Sequence, residues 1–359
     1  MKTIVCGMSG GVDSSVAALL LKKQGYNVLG VFMKNWEETT EDGFCSAEDD
    51  YFDVKSVCNK IGIPYYTVNY SKQYLDRVFE DFLEEYRKGR TPNPDVLCNK
   101  EIKFGPFLDF ANKIGADNIA TGHYAGVEEK DGLYYLKKSK DLNKDQSYFL
   151  NQLSQAQLSK VLFPLEEIDK PEVRKIAEEY GFSNAKKKDS TGICFIGERK
   201  FREFLKNYLP IQSGKIVTPD GKVVGEHIGL SYYTLGQRKG LNIGGRSDGN
   251  GNRWYVVDKR LTTNELVVTQ GEGEELLTSS LKTYKVNWIP KKPEKNEFEC
   301  LAKFRYRQPD QAVRVILNGE GADVYFKEKQ RAITPGQYVV FYNAQGYCLG
   351  GGVIEETFK

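Results

Sequence analysis

The sequence predicts an α/β protein: a doubly wound domain on a parallel sheet, then a small β-rich central domain and a C-terminal β-barrel. Three observations carry this. Strand-like and helix-like segments alternate through the first half, a loop crowded with glycine and serine follows the first strand, and beyond residue 208 short strands punctuated by glycine turns take over.

Thr3-Ile4-Val5-Cys6-Gly7, Asn27 to Met33, Pro64 to Val68 and Asn118 to Thr121 are short β-rich runs. Between them, Val12 to Gln24, Ala47 to Ile61, Tyr74 to Arg87 and Ile102 to Ile114 have helical spacing. Strands separated by helices imply right-handed crossovers and a sheet buried on both faces. A further helix is announced by Asp169 before Pro171, with Val173, Ile176, Ala177 and Tyr180 on one face and Gly181 as its stop. After Tyr208-Leu209-Pro210 come Trp254 to Val257, Glu265 to Val268, Ala312 to Leu317 and Gln337 to Tyr342, with Lys291 to Lys295 as a polar turn. The expected domains are residues 1–207, 208–276 and 277–359.

The 359 residues exceed one ordinary core. A composition of 40% hydrophobic and 28% charged residues is that of a soluble globular chain, with no run approaching the roughly 20 apolar residues of a membrane span. The N-terminus passes directly into the first strand without a secretory core, so a cytoplasmic location is expected. A net charge of +2 neither demands nor excludes RNA, because local patches decide. Seven scattered cysteines and two histidines, His123 and His227, give no disulfide framework and no zinc spacing, and no resident metal site is expected. Most of these cysteines are expected to be small buried apolar residues.

Ser9-Gly10-Gly11-Val12-Asp13-Ser14-Ser15 lies between the first strand and the first helix. There an α/β sheet presents unpaired amides and the positive end of a helix dipole to an anion. Serine hydroxyls add hydrogen bonds, and an acid in an anion site makes sense if Asp13 also faces magnesium. The alternative is a plain strand-to-helix turn, which does not require this density of glycine, serine and acid. The segment is neither the lysine-bearing phosphate loop nor the dinucleotide fingerprint.

Two cysteines have unusual neighbours. In Thr91-Pro92-Asn93-Pro94-Asp95-Val96-Leu97-Cys98-Asn99-Lys100 the prolines predict an extended loop, with Cys98 at the start of the next helix and Lys100 nearby to favour a thiolate. Asp95 either holds a proton near a bound base or caps the turn. In Asp189-Ser190-Thr191-Gly192-Ile193-Cys194-Phe195-Ile196-Gly197 the thiol follows Lys186-Lys187-Lys188. That lysine run is either a solvated face or a means of attracting phosphate and lowering the thiol pKa.

These three segments, in this order and spacing, resemble the bacterial tRNA-specific 2-thiouridylases, a family of PP-loop ATP pyrophosphatases (adenine nucleotide alpha hydrolase-like). The resemblance continues through Lys144-Asp145-Gln146-Ser147-Tyr148-Phe149-Leu150, Tyr233 to Gly240 and Phe304-Arg305-Tyr306-Arg307-Gln308; Gly244 to Asn252 match least. It implies ATP at Gly7, Met8, Ser9, Gly10, Gly11, Val12, Asp13, Ser14 and Ser15, with Met33 and Gly122 on the adenine and ribose side. It implies RNA contacts at Asn93, Pro94, Asp95, His123, Lys144, Asp145, Gln146, Arg305, Tyr306, Arg307 and Gln337. Without the resemblance, His123 reads equally as a hydrogen-bonded strand-end residue, and Arg305 to Arg307 as the wet face of a strand.

The implied reaction is ATP-dependent 2-thiolation of the wobble uridine, position 34, in tRNAs for Lys, Glu and Gln. The uracil C2 oxygen is adenylated at the expense of ATP, with Mg2+ accompanying the triphosphate, and sulfur enters from a persulfide on Cys194. Cys98 is the partner nucleophile, either freeing that sulfur or closing a Cys98–Cys194 disulfide, and Asp95 assists as acid or base. Implied partners are the tRNA anticodon stem-loop and a sulfur donor, either a cysteine desulfurase or a relay protein, acting on a monomer. The rival readings are an amide-forming PP-loop ligase, which needs no paired thiols, and a non-catalytic RNA-binding protein on the same scaffold.

Overall fold

The computed structural model describes residues 1–36, 46–189, 201–243 and 251–359. Its first region holds β1 (Thr3–Met8), α1 (Val12–Lys23), β2 (Asn27–Lys34), α2 (Ser46–Ile61) and β3 (Tyr65–Asn69). Next come α3 (Ser71–Tyr74), α4 (Glu80–Arg87), α5 (Pro94–Cys98), α6 (Pro106–Lys113) and β4 (Asn118–Ala120). A hairpin of β5 (Ala125–Lys130) and β6 (Leu133–Lys138) precedes α7 (Gln155–Leu158), β7 (Val161–Leu162), α8 (Lys170–Glu179) and α9 (Phe201–Lys206).

The sheet is parallel throughout, in the order β3-β2-β1-β4-β7. The order of strand addition switches sides between β1 and β4, and a crevice opens outside the carboxyl ends of strands at such a switch point. Ile4, Val5 and Cys6 of β1 are fully buried because helices cover both faces. On one side they meet α1, α2 and α8 through Val16, Val57 and Val173; on the other lie Phe82, Ile102 and Phe107.

The expected helices at 12–24 and 47–61 form as α1 and α2, and Asp169 caps α8 by accepting from Glu172 N–H at 3.0 Å. Two expectations need correction. The helix expected from Ile102 is interrupted at Gly105, and α6 restarts on Pro106. The preceding segment, read as an extended loop because of its prolines, is one only as far as Asn93: Pro94 sits in the first helical turn, where its missing N–H costs nothing, and a π-helical turn Asn99–Lys103 prolongs α5. A second π-helical turn, Leu75–Phe79, joins α3 to α4.

The central sheet runs β10 (Trp254–Arg260), β11 (Glu265–Gln270), β8 (Gly214–Val217), β9 (Val223–His227), with β11 and β8 parallel. Last comes a closed barrel of β12 (Leu277–Trp288), β15 (Gly321–Arg331), β14 (Gln311–Asn318), β13 (Glu297–Lys303), β16 (Tyr338–Tyr342) and β17 (Cys348–Phe358), completed by pairing of β12 with β17. Closure leaves no edge strand to pair with another chain. Phe304, Val315, Val324 and Phe341 fill its interior. Among the described residues no helix is long and apolar enough to cross a membrane.

Candidate functional site

Ser9 to Ser15 occupy the switch-point crevice. Gly11 is the N-cap of α1, and its carbonyl accepts from the hydroxyls of Ser14 and Ser15, both at 3.0 Å. Ser9 N–H donates to Ser14 Oγ at 3.2 Å, which folds the loop tightly over the helix start. Gly10 has φ +75°, and a Cβ there would meet Asp50 Cα at 2.7 Å, so α2 closes one wall of the loop. Beside Gly11, by contrast, a Cβ would meet only Ser9 Oγ, at 3.4 Å. An open glycine cradle, exposed Ser9 and a helix start form a donor set that fits phosphate oxygens.

Gly122, one residue past Thr121 at the end of β4, packs on the same helix start: a Cβ there would stand 2.6 Å from Ser14 N and 2.7 Å from Asp13 C. Met33, near the end of β2, lays its methyl over Gly7, where a Cβ would meet it at 3.2 Å. The loop, Met33 and Gly122 therefore share one edge of the sheet.

Asp13 differs from expectation. Both its oxygens are taken by Lys170 Nζ, at 2.7 and 2.8 Å, and Tyr124 O–H donates to it at 2.8 Å. As placed it presents no open carboxylate to magnesium, and among the described residues no group of three His, Cys, Asp or Glu side chains could hold a metal. Among the described residues, the side chains around Asp13 do not fit a magnesium site. Lys170 also reaches Asp189 at 2.7 Å, and Asp189 meets Lys144 at 2.5 Å and Arg174 at 2.9 Å. Burial would raise the Asp189 pKa, but hydrogen bonds and charge from Lys144 and Lys170 outweigh it and hold the carboxyl at about 2.

Asn184, buried, donates to Gly10 O at 2.8 Å and to Ser15 Oγ at 2.9 Å, while Lys187 pairs with Asp50 and Asp53. One lysine of the 186–188 run is thus a brace between segments, neither a solvated face nor a phosphate lure. Cys194, with residues 190–200, lies outside the described residues.

Asp95 sits in the first turn of α5, and Cys98 is that helix's last residue, 1% exposed. The expectation of Cys98 at a helix start is therefore corrected: α5 begins at Pro94, because proline at N1 initiates rather than blocks a helix. Lys100 pairs with Glu101 at 3.5 Å. Burial raises the Asp95 pKa, with Lys103 partly opposing it.

The approach to α5 is held from both other domains. Thr91 N–H donates to Pro335 O at 2.9 Å, Thr91 Oγ1 lies 2.9 Å from Thr234 Oγ1, and Gln337 Nε2 donates to Thr91 O and Pro92 O at 2.8 and 3.2 Å. Asn93 Nδ2 donates to Gln337 Oε1 at 3.5 Å. The central domain adds Ser231 Oγ, donating to Tyr86 O at 3.1 Å, and Lys259 Nζ, donating to Gly89 O at 2.9 Å.

Of the other expected RNA contacts, Asp145 is buried at 3% exposure and accepts from Ser139 N, Ser147 N and Ser147 Oγ. Gln146 Oε1 accepts from Tyr124 N–H at 3.0 Å. His123 lies between Phe104 and Phe163, its Nδ1 2.7 Å from Thr121 Oγ1; burial first, then Lys103, push its pKa well below the usual range, so the ring is neutral at pH 7. Arg305 to Arg307 form a turn after β13, not a strand face. Arg305 holds Ala332 O and Thr334 Oγ1, Tyr306 rests on Phe149 at 4.5 Å and donates to Lys144 O at 3.4 Å, and Arg307 remains exposed. Two sequence-distant segments are thereby brought together: the barrel's Tyr306 turn and the stretch from Lys144 to Phe149.

The sequence reading missed Tyr124, Lys170 and Asn184. Lys170 had one legible signal, its position directly after the Asp169 cap at a helix start, a poor place for a cation unless a carboxylate waits there.

Three family models match: "tRNA methyl transferase HUP domain" over residues 2–198, "tRNA methyl transferase PRC-barrel domain" over 202–270 and "Aminomethyltransferase beta-barrel domain" over 278–354. Two curated proteins named tRNA-specific 2-thiouridylase MnmA, from Streptococcus thermophilus strains CNRZ 1066 and ATCC BAA-250 / LMG 18311, are each 59% identical over 358 residues, covering 99% of this chain and 96% of their own. Among solved structures, a 4-thiouridine synthetase–RNA complex with bound ATP aligns at TM-score 0.36 and 19% identity over 57% of this chain and 49% of that one. NMN synthetase from Francisella tularensis aligns at 0.32 and 15% over 53% and 66%. At these scores neither structure carries weight for this chain.

Proposed function

Since this chain belongs to the tRNA-specific 2-thiouridylase family, sulfurtransferases that modify tRNA, we propose that it replaces the C2 oxygen of the wobble uridine with sulfur at the expense of ATP. ATP enters as a co-substrate on the Ser9–Ser15 loop, with Met33 and Gly122 along its nucleoside side. Its chemistry makes a poor leaving oxygen into a good one: the uracil oxygen takes up AMP and pyrophosphate departs.

The chain's residues then handle sulfur. The terminal sulfur of a Cys194 persulfide attacks C2 and AMP leaves with the oxygen, joining C2 to Cys194 through two sulfurs. The Cys98 thiolate attacks the Cys194 sulfur, the sulfur–sulfur bond to the base breaks, and the thiocarbonyl and a Cys98–Cys194 disulfide result. A dithiol reductant supplies the two electrons that reset the pair. Asp95, whose pKa burial raises, would give or take the proton at the base edge.

The single geometric observation behind this reading is α5, which puts Asp95 and Cys98 on one short helix whose approach is gripped by both β domains. The uridine must leave the anticodon stack to reach it. Asn93, Pro94 and Asp95 would meet the base, while His123, Lys144 to Gln146, Arg305 to Arg307 and Gln337 form or shape the RNA-facing rim. The working unit is a cytoplasmic monomer served by a cysteine desulfurase or a relay protein.

The test is mass spectrometry of unmodified tRNA for Lys, Glu and Gln after incubation with enzyme, ATP, magnesium and a persulfide source. The expected gain is that of sulfur for oxygen, lost in Cys98→Ser and Cys194→Ser while ATP binding persists. A gain of one methyl group, as the names of the family models suggest, or unchanged nucleosides with an active donor, would overturn the reading.

A further inference from the structure

Lys170 is the first residue of α8, and its side chain is 9% exposed. Its backbone N–H donates to Asp141 Oδ2 at 3.0 Å, and its ammonium lies within 2.8 Å of both Asp13 oxygens and 2.7 Å from Asp189 Oδ1. Asp189 Oδ2 in turn takes Lys144. Charges of alternating sign therefore run from the first turn of the nucleotide loop's helix to Lys144, whose carbonyl accepts from Tyr306.

The nucleotide loop and the segment leading to Asp189 are both braced. Arg174, on the same helix as Lys170, donates to the carbonyls of Ala185 and Lys187 at 3.0 and 3.1 Å, and Asn184 holds the Gly10 carbonyl. Arg174 also reaches Asp189 Oδ1, at 2.9 Å, so that carboxylate is shared among Lys144, Lys170 and a guanidinium. An ammonium shared by two carboxylates cannot satisfy a third anion without loosening its hold on one of them.

We propose that Lys170 is a positioning residue that links the nucleotide loop to Lys144, so that ATP binding and RNA binding each weaken the other. The inference rests on the functional reading above. RNA phosphate at Lys144 draws that lysine from Asp189, which then leans more heavily on its two remaining cations, Lys170 and Arg174. Nucleotide phosphates add negative charge beside Asp13 and call on the same ammonium. Because coupling between two ligands is reciprocal, the factor by which ATP raises the Kd for RNA equals the factor by which RNA raises the Kd for ATP. This antagonism would favour release of RNA when fresh ATP arrives.

The test is a four-corner binding cycle with a non-hydrolysable ATP analogue and an unmodified tRNA transcript, on the full chain, in wild type, Lys170→Met, Lys170→Arg and Asp189→Asn. Wild type is expected to show antagonism of about fivefold, the low end of ordinary allosteric coupling. Lys170→Met and Asp189→Asn should bring the factor to within about twofold of unity, and Lys170→Arg should retain it. A purely structural role would change the individual affinities and leave their ratio alone. Independent binding in wild type, or a ratio unchanged in both Lys170→Met and Asp189→Asn, overturns the link while leaving the functional reading intact. Wild type that binds neither ligand overturns both.

Discussion

Gln337 donates from one amide nitrogen to the carbonyls of Thr91 and Pro92, at 2.8 and 3.2 Å. A barrel residue thereby sets the backbone three and four positions ahead of Asp95. Gln337→Ala leaves those carbonyls without their partner, at a cost of about 1–2 kcal/mol in domain docking. Thiolation is expected to fall roughly tenfold through kcat, since a small misplacement of reacting groups is costly, with KM for ATP nearly unchanged. Initial rates against ATP concentration check this.

Gly122→Ala puts a methyl carbon 2.6 Å from Ser14 N, against backbone that cannot turn aside. Either the end of β4 or the first turn of α1 must move. The expected result is at least tenfold weaker ATP binding and a stability loss of about 1–3 kcal/mol, read by equilibrium dialysis and urea unfolding.

Lys259, against Gly89 O, is held by burial at a pKa of about 8. Its unfolded value is near 10.4, so between about pH 8 and 10 the unfolded chain binds the extra proton and stability rises with pH from this group. At pH 7 the full cost of burying the charge is present. Lys259→Met is expected to flatten that alkaline rise and, at pH 7, to offset the lost hydrogen bond by removing the buried charge. Urea midpoints at pH 7, 8, 9 and 10 for both proteins decide it.

Asp189 behaves in the opposite sense. Its folded pKa of about 2 lies below the ordinary carboxylate value, so its stabilising contribution is whole above about pH 4 and disappears as pH falls toward 2. Asp189→Asn should make acid unfolding shallower in that window. Its half-open surroundings hold the expected effect to about 1 kcal/mol, measurable by circular dichroism on acid titration.

Much of the fold was legible because strand and helix periodicity is a local property. The parallel order follows once β1, β2, β3 and β4 are separated by helices, and Asp169 with Pro171 marked the start of α8. The proline-rich stretch misled because two prolines suit either a loop or the first turn of a helix, and the contacts that decide between them are distant: Gln337, Thr234 and Pro335. Asp13 was visible as an acid in an anion loop, but its lysine partner stands 157 positions away, a separation over which no spacing rule operates. Asp145 looked like a surface contact, yet Ser139 and Ser147 fold its carboxylate inward.

The last stave of the barrel has a temporal consequence. Gly336 N–H donates to Ile354 O, Ile354 N–H donates to Gln337 O, and β17 pairs with β12 to shut the ring. During synthesis the nucleotide-binding region can condense early, as N-terminal domains do. The residue that steadies Thr91 is seated only after positions 348–358 have cleared the ribosome, so under the proposed function a nascent chain would have its nucleotide loop folded before α5 is set for chemistry.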